Sequence, residues 1–124
     1  MEVPILKQGR YLIASIQSAL SDADLVSLRD ELSHKVGEYR SSGVIVDVTG
    51  LDVIDSFATR TIRSIAMMLK LRGAMTVIVG IQPEVAFAMV QLGLAMEDIA
   101  TALDLEEGLA YLDLKIEGES GHGK

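Results

Sequence analysis

The sequence predicts an α/β fold: one mixed, mainly parallel β-sheet of four to five strands flanked by about four helices. Three observations predict it. Short β-branched runs, Val44 to Val48 and Met75 to Val79, alternate with segments whose apolar residues recur every three or four positions. That strand–helix–strand order demands parallel neighbours joined by helical crossovers. A length of 124 residues suits one domain that buries its own core without metal or disulfide.

The elements follow in chain order. Val3 to Leu6 and Tyr11 to Ile16 read as two strands, with Gly9 between Gln8 and Arg10 as a hairpin turn. Ser21 and Asp24 then form a Ser-x-x-Asp helix start, a relative of the capping box. Leu25, Leu28, Leu32, Val36 and Tyr39 lie on one stripe of that helix, which Ser41, Ser42 and Gly43 are expected to end. Val44 to Val48 reads as a buried central strand between two glycines, Gly43 and Gly50. A loop from Thr49 runs into a second helix with the stripe Ala58, Ile62, Ile65, Ala66 and Leu69, stopped by Gly73. Met75 to Val79 is the next buried strand. Pro83 suits the first position of a third helix, whose apolar side is Val85, Ala86, Met89, Val90 and Leu92, with Gly93 as stop. Asp98 to Ala100 is an optional fifth strand. Asp104 and Glu107 frame a last helix with Leu105, Leu109 and Leu112 inward. The domain is expected over residues 1–117, with Gly118 to Lys124, Gly-rich and polar, as a disordered tail.

Composition narrows the function. Aromatics are only 4% of the chain, so the core must be aliphatic. With no cysteine there is no disulfide framework, thiolate metal site or cysteine nucleophile. The net charge of −7 is repelled by phosphate backbones and anionic lipid, which argues against nucleic acid and membrane as partners and for proteins with basic surfaces. Met1 to Leu6 lacks the features of a signal peptide, and no apolar run approaches the roughly 20 residues of a membrane helix. A cytoplasmic protein is expected.

Catalytic chemistry is thin. His34 lies on the first helix and His122 near the end, without a second His at ligand spacing. There is no nucleophile elbow, no Gly-x-x-x-x-Gly-Lys-Ser/Thr and no Gly-x-Gly-x-x-Gly. No enzyme, metal or cofactor is expected. Asp47, Asp52 and Asp55 gather where a central strand ends, which is where open α/β sheets build sites. They read either as a magnesium pocket or as Asx turns and a helix cap. Ser56 sits in the first helical turn, where free N–H groups and the helix dipole tolerate a phosphate, and Arg60 lies four residues on. A phosphate there would change the surface potential and keep the fold. The other reading makes Ser56 a simple cap.

The stretch Val46-Asp47-Val48-Thr49-Gly50-Leu51-Asp52-Val53-Ile54-Asp55-Ser56-Phe57 resembles the signature of STAS domains, the family of anti-sigma-factor antagonists. There an aliphatic strand leads through hydrophobic-x-Asp-Ser into a helix. The resemblance extends over Pro4 to Lys7, Ser15 to Gln17, Gly80 to Pro83 and Thr101 to Leu109. Free antagonists continue Asp-Ser-Ser/Thr-Gly, whereas this chain has Asp55-Ser56-Phe57-Ala58 and is similar instead to the scaffold subunit of the bacterial stressosome. That resemblance implies a non-catalytic protein that assembles with itself and with a larger paralogue carrying a STAS half. It implies sequestration of a GHKL-type serine kinase, release on phosphorylation of Ser56, and resetting by a PP2C-type phosphatase. Thr49, Thr59 and Thr61 are further acceptors within reach; Asp55 and Arg60 enter the switch region from geometry rather than from the family.

Two rival readings are weaker. A receiver-like phosphoacceptor would use Asp47, but it needs an acidic pair after its first strand, and Gln8 to Arg10 and Ser15 to Ser18 hold no acid. A nucleotide- or lipid-binding module lacks a phosphate loop.

Overall fold

The computed structural model describes residues 3–94 and 98–122. Five strands, β1 (Ile5–Gln8), β2 (Tyr11–Ser15), β3 (Gly43–Asp47), β4 (Met75–Val79) and β5 (Ala100–Ala102), form one sheet in the order β1-β2-β3-β4-β5. β1 is antiparallel to β2, and the remaining pairs are parallel. Gln8 pairs with Tyr11, so Gly9 and Arg10 make the expected tight hairpin turn. Four helices complete the chain: α1 (Asp22–Tyr39), α2 (Ser56–Leu71), α3 (Pro83–Gln91) and α4 (Leu105–His122).

Strand side chains alternate between the two faces. Leu12, Ala14, Val44, Val46 and Ile78 meet Leu28, Leu32 and Val36 of α1 and Ile62, Ile65 and Leu69 of α2. Ile13, Ile45, Val77 and Val79 meet Leu112 of α4, with Leu105 and Leu109 packed beside them. Strands β2 to β5 advance one way across the sheet, so right-handed crossovers bring α1 and α2 to a common face and leave the other to α4. Leu12, Leu32, Leu69 and Leu112 are fully buried, each worth roughly 1.5–3 kcal/mol of transfer free energy. A Cβ on Gly108 would stand 2.6 Å from Val79 Cγ1, so the missing side chain lets α4 lie close on the sheet.

Local signals set the helix ends. Ser21 Oγ accepts from Asp24 N at 3.1 Å and Asp24 Oδ2 accepts from Ser21 N at 3.2 Å, a complete capping box. Glu107 N donates to Asp104 Oδ1 at 2.9 Å at the start of α4.

Several expectations shift. α1 is ended by Arg40 in the left-handed conformation (φ 51°), whose N–H reaches Val36 O; Gly43 opens β3 instead of closing the helix. Tyr39 leaves the stripe for the surface, where Lys7 and Lys35 lie 5.7 and 5.8 Å from its ring, an arrangement that rewards an exposed edge. On α2, Thr59 is buried while Ala58 is only partly so. On α3 only Val85 and Met89 are buried; Ala86, Val90 and Leu92 are exposed, because a nine-residue helix presents one i, i+4 pair to the sheet. β5 lies at Ala100–Ala102, toward the C-terminal side of the expected segment. α4 continues to His122, through part of the stretch assigned to a tail; its helical bonds do not stop at 117, and residues 123 and 124 lie outside the described residues.

Candidate functional site

The corner between β3 and α2 is built from short-range bonds. Asp47, the last residue of β3, accepts from Thr49 N at 2.9 Å and from Thr49 Oγ1 at 2.6 Å, an Asx turn. The Thr49 carbonyl accepts from Gln82 Nε2 at 2.7 Å, tying the loop to the start of α3. Gly80 lies across from it at φ +79°, and a Cβ there would come within 1.9 Å of Thr49 Oγ1. A turn from Val48 O to Leu51 N (2.9 Å) follows, with both side chains buried. Ile54 packs back onto the core, so Asp52 and Val53 between the two anchors face solvent.

Asp55 is the N-cap of α2. Its backbone is extended, and its Oδ1 accepts from Ala58 N at 2.7 Å. Ser56 is the first helical residue. The residue is partly exposed and its hydroxyl makes no hydrogen bond among the described residues, so the capping role falls to Asp55 and not to Ser56. Arg60 is exposed one turn on, and no ion pair joins it to Asp55 among the described residues. Thr59 is buried and donates its hydroxyl to Asp55 O at 3.0 Å. Thr61 is half-buried, and the Thr49 hydroxyl is spent on Asp47. Of the expected acceptors, Ser56 combines a free hydroxyl, solvent access and the positive end of a helix dipole.

The magnesium reading has no support in this geometry. Asp47 is turned onto Thr49 and Asp55 onto Ala58. Among the described residues no group of three or more His, Cys, Asp or Glu could hold a metal ion. His34 stands on α1, exposed, 3.9 Å from Glu38.

Two residues at the corner escape the sequence reading. Val53 is 68% exposed and Phe57 42%, so apolar surface flanks Ser56 on both sides. The signal was present: Phe57 precedes the apolar stripe of α2 and does not belong to it. Among the described residues no helix is long and apolar enough to cross a membrane.

Comparison with known proteins adds the family. The sequence model of the STAS domain matches residues 2–108. The RsbT co-antagonist protein RsbRA of Bacillus subtilis is 30% identical over 82 residues, 66% of this chain and 30% of that protein. RsbRC of the same organism is 30% identical over 78% of this chain and 35% of its own length, so the chain spans about a third of these relatives. Among solved structures, a serine-to-glutamate variant of Moorella thermoacetica RsbS superposes with a TM-score of 0.81 at 33% identity, over 93% of this chain and 97% of that one. A chain from a structure of the stressosome, described as a signal integration and transduction hub, gives 0.76 at 32% identity over 91% and 98%. The anti-sigma factor antagonist SpoIIAA, at 14% identity and a TM-score of 0.64, shares the fold. With a matched core from the first strand to the start of α4 and a solvent-facing Asp-Ser corner at its second crossover, the chain belongs to the STAS domain family, as a member of the stressosome type.

Proposed function

We propose that this chain is a non-catalytic scaffold and switch subunit of a stressosome-type assembly in the cytoplasm. It assembles with copies of itself and with a larger RsbR-type paralogue. Together they hold a GHKL-type serine kinase of the RsbT type and release it when Ser56 is phosphorylated; a PP2C-type phosphatase resets the switch. The observation that carries this reading is the division of roles at the start of α2. Asp55 caps the helix, and the adjacent Ser56 hydroxyl makes no hydrogen bond among the described residues.

The physical consequence is a switch that spares the fold. A phosphate on Ser56 brings about −1.5 to −2 charge to the positive end of α2, where the helix tolerates it. A partner that docks over Val53 and Phe57 must then desolvate that charge beside Asp52 and Asp55, which is costly without a paired cation. Similarity to RsbS and to RsbR-type proteins supports the assembly, and Phe57 after Ser56 favours a scaffold over a free antagonist. The test is retention of the cognate kinase by the assembly on size exclusion. Wild type and Ser56→Ala should retain it, and Ser56→Asp should lose it; equal retention by all three would reject the switch.

A further inference from the structure

Two outward helix stripes carry opposite charge. α2 holds Arg60, Arg63 and Lys70 and no acidic residue, whereas α4 holds Glu106, Glu107, Asp113 and Glu117, with Lys115 as its cation. On α2, Arg60, Ser64, Met67 and Leu71 recur at steps of four, three and four and face solvent, opposite the buried Ile62, Ile65 and Leu69. On α4, Glu106, Ala110, Leu114 and Glu117 recur at steps of four, four and three, opposite the buried Leu112. Each stripe also offers a large apolar side chain to water: Leu71 is 91% exposed and Leu114 73%.

Some of these charges are engaged within the chain. Arg63 lies 3.5 Å from Asp98, Glu107 accepts from Leu103 N at 3.3 Å, and Asp113 accepts from the Tyr11 hydroxyl. Arg60, Lys70, Glu106 and Glu117 are exposed and join no ion pair among the described residues. Arg60 precedes Lys70 by ten residues and Glu106 precedes Glu117 by eleven, so a rise of about 1.5 Å per residue spaces the two pairs alike, about 15 to 17 Å along their helices.

We infer that the outward stripe of α2 docks on the outward stripe of α4 in a second copy of this chain. Arg60 and Lys70 meet Glu106 and Glu117, around Met67, Leu71 and Leu114. The two helices cover opposite faces of the sheet, so a copy cannot join its own stripes. Like stripes repel: α2 on α2 sets cation against cation, and α4 on α4 sets acid against acid. The contact is therefore heterologous, and copies add in one direction until a ring closes or the chain stays open. Exposed ion pairs are individually weak, so the apolar side chains supply the burial and the charges choose the partner face. This contact names the surface behind the self-assembly part of the proposed function and rests on that part, not on the Ser56 switch.

The test is sedimentation velocity of the full chain at concentrations up to about 100 µM in low salt. Wild type should form species larger than a dimer, and about 0.5 M salt should weaken them by screening exposed charges. Arg60→Glu with Lys70→Glu, and separately Glu106→Lys with Glu117→Lys, should each weaken association at least about tenfold with circular dichroism unchanged. Mixed one to one, the two variants should associate again, because every stripe then meets one of opposite sign. Wild type that stays monomeric would overturn the contact together with self-assembly, and would leave the stripes to a different protein. Wild-type assembly that either reversal leaves intact would overturn the contact alone, with self-assembly still standing.

Discussion

Asp55 Oδ1 accepts the backbone N–H of Ala58 at 2.7 Å, and this bond gives the capping of α2 to Asp55 rather than to the adjacent Ser56. Removing it by Asp55→Ala should cost about 1 kcal/mol, the usual worth of an N-cap. Ser56→Ala should stay within about 0.5 kcal/mol of wild type, because the hydroxyl makes no bond among the described residues. Urea unfolding of the two variants checks this. If Ser56→Ala proved the more damaging, Ser56 would be the cap.

Val53 and Phe57 face water on either side of Ser56. Val53→Ser and Phe57→Ser should each change stability by less than about 1 kcal/mol, as exposed positions do. Both should weaken retention of the kinase, since apolar groups at the centre of an interface carry much of its affinity. Parallel melts and pull-downs separate the two effects.

Gly80 faces Thr49 with φ +79° and no room for a methyl group. Gly80→Ala should cost about 2 kcal/mol or more, from the left-handed backbone and the clash together. Adding Thr49→Ala removes the clashing oxygen and should recover part of that loss. A double-mutant cycle by urea unfolding gives the coupling, and additive effects would contradict the contact.

Tyr11 donates its hydroxyl to Asp113 of α4. Burial first, and this bond second, hold the phenol above its ordinary value of 10.0. A raised phenol favours the protonated form in the fold, so its contribution is complete below pH 10.0 and is lost as pH climbs through the folded value. Tyr11→Phe should cost about 1 kcal/mol at neutral pH and flatten the alkaline fall in stability. Unfolding curves between neutral and strongly alkaline pH check both.

Much of this fold was legible because local signals and packing agree. The Ser21–Asp24 box, Pro83, and the stripes of α1 and α2 mark elements that the structure contains. The run of Val44 to Val46 marks β3, since a strand buried on both faces reads as continuously apolar. Spacing failed where an element is short. Val90 and Leu92 fit a helical stripe, yet α3 buries a single pair, and β5 is three residues long without a pattern of its own. At the site, Asp55 and Ser56 were both legible as residues of a helix start. Which of them caps depends on a backbone torsion at Asp55 that residue type alone does not decide. The meeting of Thr49 with Gly80 and Gln82 is a tertiary contact across two crossovers, with no trace in spacing.

The most direct measurement is intact-mass spectrometry after incubation with the cognate GHKL-type kinase and ATP, on wild type and on Ser56→Ala. The account predicts one added phosphate on wild type and none on the variant. Equal phosphorylation of both would place the switch elsewhere, and no phosphate on either would contradict a phosphorylation switch in this chain.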